Sequence, residues 1–237
     1  VMESKKHYIV LIAAIMLLMV SCVPENEFEN TPKGNFNALW TIIDERYCFL
    51  DYKNEEYGLD WDKVRKKYSS RLTSDVNNIG LFEILTDMLS ELRDGHVNLY
   101  YTADVGRYWS WKEDYPANFD MKLVEKYLGT DYKISSGIYY KVLDDNVGYL
   151  YVGDFSNTIG ESSLDAIISM LSVCNGLIID VRDNGGGSVE NARTLASRFT
   201  NKDVFVGYIM HKTGPGHSEF SEPEKRYIET NKYHLRW

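Results

Sequence analysis

A run of apolar residues that empties into three successive glycines leaves a chain few ways to fold. Gly176-Leu177-Ile178-Ile179 leads into Asp180-Val181-Arg182-Asp183-Asn184-Gly185-Gly186-Gly187. This pattern predicts a buried strand that closes in a tight turn and opens a helix over about Ser188 to Phe199. Without Cβ atoms the three glycines let the main chain approach a bound group closely. The helix start adds unpaired N–H groups and the positive end of its dipole. An anion or a developing oxyanion suits such a place, although a plain tight turn leaves the same glycine signature.

Elsewhere the spacing of apolar residues organises the chain. Phe36, Leu39, Trp40, Ile43 and Tyr47 recur at helical period. So do Trp61, Val64, Tyr68 and Leu72 behind a capping Asp60, and Leu81, Phe82, Leu85, Met88, Leu89 and Leu92 behind Asn78. Three amphipathic helices in a bundle are expected, then a strand over Val97 to Tyr101. Gly137 to Val152 reads as two strands around an Asp144-Asp145-Asn146 hairpin turn. A helix near Ser162 to Leu171, the strand and helix around the glycine turn, and a strand over Asp203 to His211 follow, which is α/β alternation. The fold class expected is α+β, with a helical bundle ahead of an α/β core.

The chain begins with Lys5, Lys6 and His7, then an apolar run from Tyr8 to Val20, then Ser21-Cys22. At about 13 residues the run falls short of the roughly 20 that cross a bilayer, and its basic flank and small-residue exit predict a secretory signal. Met19-Val20-Ser21-Cys22 resembles a bacterial lipobox, with Met where Leu is commoner. Lipidation at Cys22 is therefore expected, with a simple secreted protein as the other possibility. Residues 23–34 are acidic, carry Pro24, Pro32 and Gly34, and read as a tether. The expected domains are a signal peptide over 1–21, a tether over 22–34, a helical domain over 35–96 and an α/β core over 97–237. A membrane partner through the anchor and a place in the bacterial envelope, periplasmic or at the outer-membrane surface, follow from this reading. The net charge of −9 leaves no basic stripe for a nucleic acid, and 44% apolar residues argue for a packed core. Cys48 and Cys174 are expected to be buried thiols rather than ligands or a disulfide framework.

Three blocks, in order, carry a family resemblance. Met88-Leu89-Ser90-Glu91-Leu92-Arg93-Asp94-Gly95-His96-Val97 is similar to a helix ending in Leu-x-Asp-x-His. Val147-Gly148-Tyr149-Leu150-Tyr151-Val152-Gly153-Asp154-Phe155 is similar to the strand that opens a catalytic core, and the Asp-x-Arg-x-Asn-x-Gly-Gly words of 180–187 complete the set. Together they resemble the tail-specific (C-terminal processing) protease family, in its tricorn-core-like branch, whose core is of the ClpP/crotonase type. Only about fifty residues lie between His96 and Val147, too few for the PDZ module that many members insert there.

The resemblance implies a serine-type peptidase that acts through an acyl-enzyme, on peptide or protein substrates, without metal or organic cofactor. It gives His96 the role of general base in the tricorn-like branch and a structural role in the branch that uses lysine. Backbone N–H groups of Gly185, Gly186 and Gly187 would line the oxyanion hole, supported by Asp180, Arg182 and Asn184. The family's serine follows a further strand, and the chain stops at Tyr233-His234-Leu235-Arg236-Trp237 where that strand is expected, so the nucleophile and its late acidic or lysine partner should lie beyond it.

Other chemistries fit less well. Ser188 reads as a helix N-cap, and Gly216-His217-Ser218-Glu219-Phe220 lacks the second glycine of a nucleophile elbow. His211, His217 and His234 read as loop residues rather than zinc ligands, and Asp144-Asp145-Asn146 lacks the further oxygens of a calcium loop. Tyr108, Trp109, Trp111 and Tyr115 could hold a ligand but are expected to pack over the core. A noncatalytic envelope lipoprotein that binds a peptide, lipid or glycan is the rival reading, since fold alone does not fix function.

Overall fold

The computed structural model describes residues 27–102 and 104–236, so the signal run and Cys22 lie outside the described residues. These residues form two compact units. One holds the described residues up to Trp109 together with Gly214–Ser218, and the other holds those from Ser110 to Thr213 and from Glu219 to Arg236.

The first unit is built on four helices, α1 (Pro32–Arg46), α2 (Leu50–Tyr57), α3 (Trp61–Ser69) and α4 (Asn78–Ser90). Helix α1 opens earlier than the apolar spacing suggested, because Pro32 stands in its first turn and the Thr31 hydroxyl accepts from Gly34 N–H at 3.0 Å. Asp60 caps α3 as expected, accepting from Lys63 N–H. For α4 the cap is Asn77 rather than Asn78. Asn77 has the extended backbone a cap needs, and its Oδ1 accepts from Gly80 N–H at 2.9 Å.

Phe36, Trp40, Trp61, Val64, Tyr68, Leu81, Ile84, Leu85, Met88, Leu89 and Leu92 form the core of this unit. Trp40 and Trp61 clasp reciprocally: each indole N–H donates to the other's carbonyl oxygen, at 3.1 and 3.2 Å, so neither buried donor is left unpaired. Phe82 leaves the core and meets the Tyr101 ring instead. Helix α2 escaped the sequence reading because only Leu50 of its eight residues is buried. Cys48 is exposed, which corrects the expectation of a buried thiol there, while Cys174 is buried.

Beyond α4 an antiparallel hairpin pairs β1 (Asn98–Tyr101) with β2 (Asp104–Arg107). Strand β2 lies just ahead of the Tyr108, Trp109, Trp111 and Tyr115 cluster. It lies so close to α4 that a Cβ on Gly106 would sit 2.1 Å from Thr86 Oγ1.

In the second unit β3 (Lys133–Ser135), β4 (Ile138–Val142), β5 (Val147–Val152) and β6 (Gly176–Asp180) form one sheet in that order. The first three run antiparallel, and β5 and β6 run parallel. A parallel pair needs a crossover, supplied by helix α7 (Glu161–Leu171), whose Leu164, Ile167 and Leu171 are buried. Ahead of the sheet lie α5 (Ser110–Glu113) and α6 (Met121–Leu128), the latter capped by Asp120. Behind β6 come α8 (Val189–Ala196) and a short 3₁₀ turn at Ser197–Phe199. Trp111 and Tyr115 are exposed, which corrects the expectation that the aromatic cluster packs over the core, whereas Tyr108 and Trp109 are half-buried.

The strand expected near 203–211 exists as β7 (Val204–Ile209). It pairs with β8 (Glu224–Ile228) in a separate ribbon and not with the main sheet. The charged Glu224-Lys225-Arg226 start of β8 conceals that strand in the sequence. The buried side chain of Arg198 organises the segment after β8. Its guanidinium pairs with Asp165 at 2.5 Å and with Glu161, and it donates to the Tyr233 carbonyl. Leu235 N–H returns a bond to the Arg198 carbonyl.

Candidate active site

The glycine turn leaves the carboxyl end of β6, where parallel strands commonly present ligand sites. Asp180, the last residue of that strand, is 5% exposed. Its carboxylate takes two bonds from Arg182, Nε at 2.9 Å and Nη2 at 2.7 Å, one from Arg182 N–H and one from Tyr149 Oη at 2.7 Å. These bonds, the Arg182 fork foremost, outweigh the penalty of burial and lower its pKa from the ordinary 3.8 to about 2. Burial and the neighbouring carboxylate push the Tyr149 phenol upward, so it stays a donor.

Past Asp180 the turn is stitched to the strand beside it. Asn184 donates from Nδ2 to Val152 O at 2.8 Å and accepts from Gly186 N–H at 2.8 Å. Gly185 N–H donates to Gly153 O, Phe155 N–H to Gly186 O, and Ser188 N–H to Phe155 O. Positive φ angles at Asp183 (60°), Gly186 (87°) and Gly187 (132°) let the chain reverse here. The Ser188 hydroxyl caps α8 by accepting from Asn191 N–H, as its position suggested. Asn191 also clamps the opposite loop, donating to Phe155 O and Asn157 O at 2.8 Å each. Nothing in the motif pointed to Asn191 or Tyr149, because their partners are remote in sequence.

Among the three glycine amides, those of Gly185 and Gly186 donate inward. Gly187 N–H makes no hydrogen bond among the described residues, at an exposed position one residue before the α8 cap. An amide of this kind at a helix start is the donor that an oxyanion requires.

His96 stands in the first unit, two residues beyond Asp94, and its side chain is fully exposed. Asp94 Oδ1 accepts His96 N–H at 2.9 Å and lies 3.5 Å from the ring Nδ1, while Oδ2 accepts from Tyr47 Oη at 2.6 Å. Burial opposes the Asp94 charge, but the Tyr47 and His96 bonds prevail and hold its carboxyl below the ordinary range. His211 and His234 bond to Ser221 Oγ and Asn231 O, through N–H and Nδ1 respectively. His217 lies against Asp44 and Asp51, Nε2 to Asp44 at 3.0 Å and Nδ1 to Asp51 at 3.5 Å.

Beside the turn, a cavity of about 750 Å³ is lined by Phe119, Leu123, Val124, Tyr127, Tyr149 and Arg182. It is largely apolar, and Phe119 sits under the Arg182 guanidinium while stacking on Tyr151 at 4.8 Å.

Two family models match the chain: the Tricorn protease C1 domain over residues 28–90 and Peptidase family S41 over residues 146–234. These two matches, with the similarity to a carboxy-terminal processing protease given below, support a tail-specific protease family. It is similar to the solved structure of a candidate peptidase from Parabacteroides merdae ATCC 43184, at 45% identity and a TM-score of 0.80, over 88% of this chain and 65% of that one. It is also 30% identical over 90 residues to the carboxy-terminal processing protease CtpA of Bacillus subtilis (strain 168), covering 38% of this chain and 19% of CtpA. Mature CPAF complexed with lactacystin shares the fold at a TM-score of 0.52 and 12% identity, over 77% of this chain and 62% of that one. The chain therefore spans less than two thirds of the first relatives it matches. The mixed α and β architecture of these relatives is the one described above.

Asp180 makes one expectation quantitative. A carboxyl whose folded pKa lies below its unfolded value contributes stability in full above about pH 4, and loses it as pH falls toward 2. For a shift from 3.8 to about 2 the contribution is about 2 kcal/mol. Urea unfolding of Asp180→Asn should fall below the parent by about that amount at pH 7, and the gap should close toward pH 2. A gap that is equal at both pH values would assign the effect to shape instead of charge.

Proposed function

We propose that the protein is a serine-type peptidase that hydrolyses peptide bonds through an acyl-enzyme. In this reading Gly187 N–H is the oxyanion donor of the turn and His96 is the general base. The observation that carries the reading is the division of labour among the glycine amides. Two of them lock the turn's shape, which leaves Gly187 N–H without a hydrogen-bond partner among the described residues, and acyl transfer needs such a donor where charge develops. Asp180, Arg182 and Asn184 act as its scaffold. The cavity beside Arg182 suits an apolar side chain of a peptide substrate.

The nucleophilic serine belongs, in this reading, to sequence outside this chain. The lengths of the relatives support that, since 65% coverage of the Parabacteroides structure leaves room for it. A protein extended to that length should react with a serine-directed phosphonate and hydrolyse casein, whereas residues 27–237 alone should do neither. An extended protein that binds peptide but shows no labelling and no turnover would favour the noncatalytic binding role.

Cys22 is read as the site of a lipid anchor in the bacterial envelope, on the strength of the basic flank, the short apolar run and Ser21-Cys22. Among the described residues no helix is long and apolar enough to cross a membrane. Metabolic labelling with a fatty acid should mark the parent and spare Cys22→Ser. Equal labelling of both would remove the anchor.

A further inference from the structure

We propose that Asp94 is a positioning residue for His96: held by Tyr47, its carboxylate fixes the imidazole in the tautomer that carries its proton on Nδ1 and leaves Nε2 open toward solvent. The inference rests on the reading of His96 as general base, and it assigns work to two residues, Tyr47 and Asp94, that the glycine-turn machinery does not use.

The geometry begins at the exit of α4. Arg93 takes a left-handed backbone, φ 47°, which turns the chain so that Asp94 lies back over the helical unit. One carboxylate oxygen is then fixed by Tyr47 Oη at 2.6 Å and the other by His96 N–H at 2.9 Å. With both oxygens held from different sides, the carboxylate has little freedom to turn away. The oxygen bonded to His96 N–H is also the one 3.5 Å from the ring Nδ1. At that separation the ring contact is an approach, and a small rotation of the exposed imidazole closes it. Catalytic bonds are commonly long before substrate arrives.

The exposure of His96 sharpens the case. No packing restrains the ring, so the carboxylate is the fixed group that sets its preference. An unrestrained histidine carries its neutral-state proton mostly on Nε2, which would leave Nδ1, the nitrogen facing Asp94, as the acceptor. A carboxylate at Nδ1 reverses this, because it can only accept. One cation stands near, Lys53, which donates to Arg93 O at 3.4 Å and whose charge helps to sustain that of Asp94. In the reaction, Nε2 takes the proton of the attacking hydroxyl and later returns it to the leaving amine. Asp94 stays ionised throughout and stabilises the imidazolium formed between those steps.

The test reads the tautomer directly. In the chain labelled with ¹⁵N-histidine, long-range ¹H–¹⁵N spectra at about pH 9, above the ordinary histidine range, report which ring nitrogen carries the proton. His96→Gln assigns the signal. The parent should show mainly the Nδ1–H form. Asp94→Asn should shift the ratio toward Nε2–H by about three- to tenfold, the scale of one net hydrogen bond. Tyr47→Phe should give a smaller shift in the same direction, with melting temperatures recorded for each variant to separate unfolding from retuning. A parent that shows the Nε2–H form, or a ratio indifferent to Asp94→Asn in a folded variant, overturns the proposal. In the extended, active protein Asp94→Asn should lower kcat by about 10- to 100-fold with KM little changed. Should His96→Ala keep full activity there while the tautomer result holds, the failure would lie with the general-base reading and not with the positioning.

Discussion

Gly187→Ala should destabilise the second unit by about 3 to 5 kcal/mol, although it adds a single methyl group. Its Cβ would lie 2.4 Å from Phe155 C and 2.6 Å from Ser156 N, so it meets backbone that cannot swing aside. The φ of 132° is also closed to residues with a side chain. Strain of about 1 to 3 kcal/mol from the backbone and a similar sum from overpacking add at this site. Gly186→Ala, one residue earlier, faces nothing within 4 Å and should lose only about 1 to 2 kcal/mol to its φ of 87°. Urea unfolding of the two variants side by side separates the causes. Equal midpoints would mean that the backbone at Phe155 and Ser156 yields to the added methyl group. In the active protein Gly187→Ala should also abolish turnover, because it displaces the Gly187 amide.

His96→Ala, in a protein long enough to carry the nucleophile, should lower the catalytic rate by about 10² to 10⁴ while leaving peptide binding and melting temperature nearly unchanged. The separation of effects follows from exposure: a side chain that buries nothing removes little stability when cut. Activity that survives this change and depends instead on a downstream lysine would make His96 structural.

The strongest periodicities were the easiest to read. Leu81, Leu85, Met88 and Leu89 recur on one helical face because that face is buried, and the unbroken apolar run from Val147 to Val152 marks a strand buried on both faces. Asp60 and Ser188 announced helix starts because capping chemistry is local. Elements with little burial stayed hidden, namely α2, with Leu50 alone inside, α6, with no fully buried residue, and β8, where charges mask the strand. The site divides along the same line. Asp180, Arg182 and Asn184 bond within a few residues of themselves or to the adjoining strand, so a short motif holds their signature. Tyr149 reaches Asp180 across 31 positions and Tyr47 reaches Asp94 across 47, and pairings of that kind leave no trace in local spacing.

Arg198 has a consequence for how the second unit breathes. Asn231 N–H donates to Ser197 O, Leu235 N–H to Arg198 O, and the Arg198 guanidinium grips Tyr233 O from inside the unit. Peeling residues 231–235 away would therefore strip a ligand from a fully buried cation, and uncovering such a charge is expensive. The segment should thus behave in hydrogen exchange as part of the slowest cooperative block, its Leu235 amide opening together with α7 and not ahead of it.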